Sequence, residues 1–127
     1  MNLVIIDPSE LSRVVIEDFL MKMGVAALDI HLFVDGQHAL EYIREHDPDL
    51  LFTSLSLPQL DGIDLVDIML REKPELTSKL FVLSSSENEV FDDVKGVGAK
   101  RFIKKPINKE YFDHFVQPEV EKLLNKA

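Results

Sequence analysis

The sequence predicts a doubly wound α/β fold: one five-stranded parallel sheet in the order 2-1-3-4-5, with helices on both faces. Three observations predict it. Short apolar runs alternate with longer stretches of helical period, five of each, and such alternation implies a parallel sheet with right-handed crossovers. The second and fifth runs are the least apolar, which assigns them to the edges of a sheet whose inner strands are covered on both faces. The 127 residues contain no linker, internal repeat or low-complexity tract, so residues 1–127 read as a single domain with room for one core.

The elements follow in order. Leu3–Ile6 is a first strand that stops at Asp7-Pro8. Leu11, Val15, Phe19 and Met23 then recur every four residues, with Val14 beside them, as one apolar helix face. Asp7 is placed to cap this helix, with Pro8 at its first position and Glu10 at a capping-box spacing, and Gly24 ends it. Ile30, Leu32 and Val34 alternate with Asp29, His31 and Phe33 as an edge strand, followed by a turn at Asp35-Gly36. Ala39, Leu40 and Ile43 mark a short helix that ends before Asp47-Pro48. Leu50-Leu51-Phe52 is a third, doubly buried strand. After a loop with Pro58 and Asp61-Gly62, residues Ile63, Val66, Met69 and Leu70 mark a third helix, stopping before Pro74. Leu80–Leu83 is the fourth strand, and Val90, Phe91, Val94 and Val97 a fourth helix. Arg101-Phe102-Ile103 is the fifth strand. Asn108 caps a last helix carrying Tyr111, Phe112, Phe115 and Val116, which Pro118 should kink or split.

Composition excludes several classes. Hydrophobic residues at 46% and charged residues at 29% are those of a globular domain. The absence of cysteine removes disulfides, thiolate metal sites and thiol nucleophiles, and fits a cytoplasmic protein. A net charge of -9 works against nonspecific nucleic-acid binding. Six basic residues (Lys95, Lys100, Arg101, Lys104, Lys105, Lys109) gather locally and read as a solvated face. No apolar run is long enough to span a membrane, and the first follows Met-Asn without the basic stretch of a signal peptide. His31, His38, His46 and His114 lack metal-ligand spacing.

In a sheet of this order, ligands sit beyond the carboxyl ends of the strands, at the switch point between strands 1 and 3. That singles out Asp7, Pro8, Ser54, Ser84 and Lys105. A hydrolase with a Ser54–Lys105 dyad lacks the expected surroundings, because "FTSLSLP" has no G-x-S-x-G turn.

The stretches "IIDPSELSR", "DGQHALEYIREHDPDLLFTSLSLPQLDG", "LFVLSSS" and "GAKRFIKKPI" resemble the receiver domains of two-component response regulators, over essentially the whole chain. The resemblance implies a flavodoxin-like fold and a role in phosphorelay signalling. It also implies an acyl-phosphate site with two acids after strand 1, an acceptor Asp ending strand 3, a hydroxyl after strand 4 and a lysine after strand 5. Ser84 and Lys105 keep the last two, and Phe102 keeps the switch aromatic. The acid pair reads Asp7-Pro8, and the acceptor position reads Ser54.

Magnesium takes an octahedral oxygen shell that usually includes one or two carboxylates. With Pro8 and Ser54 in place of acids, magnesium is expected to bind weakly or not at all, and no other cofactor is implied. The reading is therefore a stand-alone, degenerate receiver: not an enzyme, without an output domain, acting through a signalling partner or a second receiver. The docking surface implied is that of the fourth helix, fifth strand and last helix, where Lys95, Lys100, Lys104 and Phe112 fall. Two alternatives stay open. One is a working receiver that recruits Glu10, Asp35, Asp61 or Glu87. The other is a small-ligand module at the strand 1/strand 3 crevice.

Overall fold

A computed structural model describes residues 1–84 and 101–126. Its sheet has five parallel strands: β1 (Leu3–Ile6), β2 (Ile30–Phe33), β3 (Leu50–Ser54), β4 (Leu80–Ser84) and β5 (Phe102–Lys104). They lie in the order β2-β1-β3-β4-β5, as the alternation predicts. The register aligns Leu3 with Ile30 and Leu50, Leu51 with Leu80, and Val82 with Phe102. The described α-helices are α1 (Glu10–Lys22), α2 (Gly36–Glu45), α3 (Gly62–Glu72) and α4 (Lys109–Asn125). The helix expected over Val90–Val97 lies outside the described residues.

Successive strand residues point to opposite faces, and this divides the core in two. Val4, Ile6, Leu51 and Val82 pack under α2 and α3, against Ala39, Leu40, Ile43, Leu65, Val66 and Met69. Leu3, Ile5, Phe52, Phe81 and Leu83 pack under α1 and α4, against Ile16, Leu20, Phe112, Val116 and Val120. Phe52 stacks on Phe81 at 5.2 Å and on Phe112 at 5.7 Å between ring centroids. Every residue of β1, β3 and β4 is buried.

Several expectations need correction. The buried residues of α1 are Ile16 and Leu20; Leu11 is 74% exposed and Val14 53%. A four-residue step turns a helix about 400°, so an i, i+4 stripe drifts about 40° per step. Met23 and Phe19 still reach the core, whereas Leu11 has rotated into solvent. The cap of α1 is Ser9, whose hydroxyl accepts the Ser12 N–H, and not Asp7; Pro8 precedes the cap. Gly24, at φ 105°, does end α1. Its N–H donates to the Met21 carbonyl and the Val25 N–H to Leu20, a Schellman motif with Val25 and Leu20 in the same core cluster.

β2 does lie at the edge, but it ends at Phe33, before Val34; Leu32 is 43% exposed and Val34 50%. An edge strand has cover on fewer sides than an inner one. The Asp35-Gly36 turn is the start of α2, with Asp35 as its cap. The fifth strand begins one residue later than read, at Phe102. A 3-10 helix at Pro74–Lys79 follows α3 without a periodic signal. Asn108 caps α4 as expected, and α4 runs unbroken through Pro118, so it is not split. Pro118 is exposed.

Candidate functional site

Four strand ends converge on one cleft. Asp7 directly follows β1, and its N–H donates to the Phe33 carbonyl at 3.0 Å, so the ladder to β2 fixes its position. It is fully buried. Oδ1 accepts the Ser9 N–H at 2.9 Å, and Arg13 donates to the Asp7 carbonyl at 2.7 Å. Ser54 closes β3 and Ser84 closes β4, both buried. Lys105 follows β5 and donates its backbone N–H to the Ser84 carbonyl at 2.9 Å; the bond to Pro106 is cis.

The Lys105 ammonium lies 2.6 Å from Asp7 Oδ2 and 3.5 Å from Ser54 Oγ. The contact between Asp7 Oδ2 and Lys105 is an ion pair. The cleft has a volume of about 130 Å³ and is lined by Asp7, Pro8, Ser9, Ser54, Ser56, Ser84 and Lys105, with Leu55 and Leu83. All five strand-end candidates therefore meet. Phe102 does not line the cleft; it is half-buried and packs against the cluster under α2 and α3. Ser9 and Ser56 are lining residues that the sequence reading missed. Their signal was proximity, since each sits within two residues of a candidate.

The rim is held by two close approaches. Gly62 donates to the Leu55 carbonyl, and a Cβ there would stand 2.5 Å from both Leu55 Cα and the Ser54 carbonyl oxygen. A Cβ on Gly36 would stand 2.2 Å from the Leu60 carbonyl oxygen. Only glycine lets α2 and α3 begin this close to the β3–α3 connection.

Of the acids considered as replacements, Glu10 and Asp61 are exposed and do not line the cleft, and Glu87 lies outside the described residues. Asp35 is spent on α2. Its Oδ1 accepts the His38 N–H at 2.8 Å and its Oδ2 lies 2.7 Å from His38 Nδ1, and these bonds hold its carboxyl below the usual carboxylate range. Among the described residues, Asp7 is the one carboxylate lining the cleft, and no cluster of three or more His, Cys, Asp or Glu side chains is placed to hold a metal.

In this doubly wound parallel sheet polar residues gather at the carboxyl ends of β1, β3, β4 and β5, where sheets of this class bind ligands. Residues 3–117 match the response regulator receiver domain, and the chain belongs to that family, the receiver modules of two-component signalling. It is 30% identical to protein PilG of Pseudomonas aeruginosa over 112 residues, 87% of this chain and 80% of PilG. It is 29% identical to the chemotaxis protein CheY of Bacillus subtilis, over 83% of this chain and 85% of CheY. It also matches protein-glutamate methylesterases, but spans about 30% of their length. Among solved structures, a putative response regulator from Chloroflexus aurantiacus superposes with a TM-score of 0.82 at 21% identity, covering 94% of this chain and 97% of that one. The receiver domain of a Pseudomonas aeruginosa sensor histidine kinase, solved with magnesium in its active-site cleft, gives 0.80 at 16% identity, covering 94% and 97%. No helix among the described residues is long and apolar enough to cross a membrane.

Proposed function

We propose that this chain is a receiver that has given up phosphoryl transfer and acts in cytoplasmic signalling by protein–protein contact. The observation that carries the reading is the donor set of the cleft. Its one described carboxylate, Asp7, is already paired with Lys105, and Ser54 stands where β3 ends. A hard dication needs several oxygen ligands with net negative charge. An ion pair with hydroxyls around it offers neither, so the residues present do not fit magnesium. A phosphoryl group on Ser54 would be an ester, without the lability of an acyl phosphate.

The docking surface proposed is the β5–α4 side. Lys104, Tyr111 and Phe115 are exposed there and border an open groove of about 800 Å³ with Lys105, Glu110 and His114, whereas Phe112, expected on this surface, is fully buried in the core, and Lys95 and Lys100 lie outside the described residues. Tyr111 and Phe115 lie with ring centroids 4.7 Å apart. The exposed Lys104 beside paired aromatic rings suits an acidic partner with an apolar anchor.

The test is intact mass after incubation with acetyl phosphate and magnesium. An unchanged mass is expected. A single phosphoryl group labile to hydroxylamine would establish an acyl phosphate and overturn the reading in favour of a working receiver.

A further inference from the structure

The outward face of α1 is apolar where a surface helix is normally polar. Leu11, Val14 and Met21 are exposed, and the exposed Asp18 lies among them. At about 100° per residue these side chains fall within an arc of about 80°, opposite the buried Ile16 and Leu20. Their spacing, three, four and three residues, is that of the seam along which two helices pack. The helix is already fixed: Ser9 caps its start, Gly24 ends it, and Ile16 and Leu20 anchor it in the core. Docking there orders little backbone. The edges of the stripe are mostly acidic. Glu10 and Glu17 flank one side, and Lys22 borders the other. Arg13 is turned to the Asp7 carbonyl. Asp18 and Lys22 lie 2.9 Å apart, but both are more than half exposed, so their pairing is weak and exchangeable.

We propose that this stripe docks a basic amphipathic helix of another protein, with an arginine or lysine facing Asp18. The charges select that occupant. A second copy would set the edge carrying Glu10 and Glu17 against itself if antiparallel, and Asp18 against Asp18 if parallel, between chains that each carry a net charge of -9. An anionic membrane is repelled on the same ground. Leu11, Val14 and Met21 supply the apolar contact, and Asp18 interrupts it once. A single polar group in an apolar seam fixes the register of the pair. An apolar or acidic residue facing Asp18 would leave its carboxylate covered without a cation, whereas a basic one pairs with it. The site lies on α1 and stands or falls separately from the β5–α4 surface.

The experiment titrates the full chain with two synthetic helical peptides, each with leucines along its seam and lysines on both flanks. They differ at the central seam position, arginine in one and glutamate in the other. Binding is followed by NMR amide shifts. The arginine peptide is expected to bind about tenfold more tightly, to shift the amides of Leu11, Val14, Asp18 and Met21, and to weaken with salt. Asp18→Asn should make the two peptides equal, and Asp18→Lys should reverse their order. Position 18 is exposed, so both variants should keep the melting temperature. Leu11→Ser should weaken both peptides about tenfold, and Phe115→Lys, on the other surface, should change neither. No binding of the arginine peptide at millimolar concentration overturns the proposal. So do equal affinities for the two peptides on the natural sequence, shifts centred on Tyr111 and Phe115, a preference that the Asp18 variants leave in place, or binding that Leu11→Ser leaves intact.

Discussion

The interior of the sheet and the cleft at its carboxyl end are made by neighbouring residues of the same strands. Ile6 is fully buried core and Asp7 is the cleft's carboxylate; Phe52 is core and Ser54, two residues on, lines the cleft; Leu83, itself core, borders the cleft beside Ser84. The interior is apolar and closed. The cleft is polar, about 130 Å³, and neutralised from within by Lys105. One step along a strand therefore separates residues that decide the fold from residues that decide the chemistry, and the chemistry can change while the fold stays.

The largest effect should come from the interior. Phe52→Ala removes the ring that stacks on both Phe81 and Phe112 and should cost about 3–5 kcal/mol in chemical denaturation. A cost near 1 kcal/mol would show that the core under α1 and α4 does not depend on this ring. Gly62→Ala strikes the boundary between the regions, because its Cβ meets backbone rather than a movable side chain. The expected cost is about 1–3 kcal/mol, with amide shifts at Ser54 and Leu55 in NMR spectra; an unshifted Ser54 would separate the rim from the cleft.

Inside the cleft, Lys105→Met leaves the buried Asp7 carboxylate without its cation. Lys105 is about one-fifth exposed, so the cost falls short of that for a fully buried pair and should be about 2 kcal/mol. Asp7→Asn combined with Lys105→Met should recover part of it. If the double variant were as unstable as the sum of the singles, the pair would not be coupled.

The interior was legible in the sequence because burial on both faces leaves continuous apolar runs, and β1, β3 and β4 carry them. The cleft was legible through topology: the strand order points to the carboxyl ends, and Asp7, Ser54, Ser84 and Lys105 do meet there. What could not be read was rotation and local bonding. The helical period of α1 was plain, yet the drift of its four-residue stripe hid that Leu11 and Val14 face solvent. Asp7 and Ser9 are both good caps, and only the backbone geometry shows that Ser9 caps α1 while Asp7 turns to Lys105.

Restoring acids should return a magnesium response. Pro8→Asp with Ser54→Asp gives the cleft three carboxylates, whose mutual repulsion lowers stability without metal. Magnesium at ten times its dissociation constant should return about 1.4 kcal/mol, read as a saturable rise in melting temperature. Ser54→Asp alone should respond more weakly, and the natural sequence not at all beyond sodium at matched ionic strength. A double variant silent to magnesium would remove the receiver assignment of positions 8 and 54.

The smallest effect belongs to the rim, where α2 begins against the β3–α3 connection through the Gly36 N–H and the Pro58 carbonyl, 3.3 Å apart. Asp35 and His38 form the cap there. The side-chain bond to Asp35 raises His38 above its usual 6.5, so the folded protein holds that proton more tightly than the unfolded chain. Its contribution is full below 6.5 and is lost as pH rises through the higher folded value. Asp35 works in the opposite sense. The His38 backbone N–H lowers it below 3.8, so its contribution is full above that value and is lost as pH falls through the lower folded one. Both contributions are present together from 3.8 up to 6.5. The His38 side chain is 71% exposed, so solvent screening keeps its effect small. Melting temperatures of the natural sequence and of His38→Gln should therefore differ most in mildly acidic buffer and converge as pH rises into the alkaline range. If the two curves stay parallel across that range, the His38–Asp35 contact does not act as an ion pair in solution, and the cap on α2 rests on the Asp35-to-backbone bond alone.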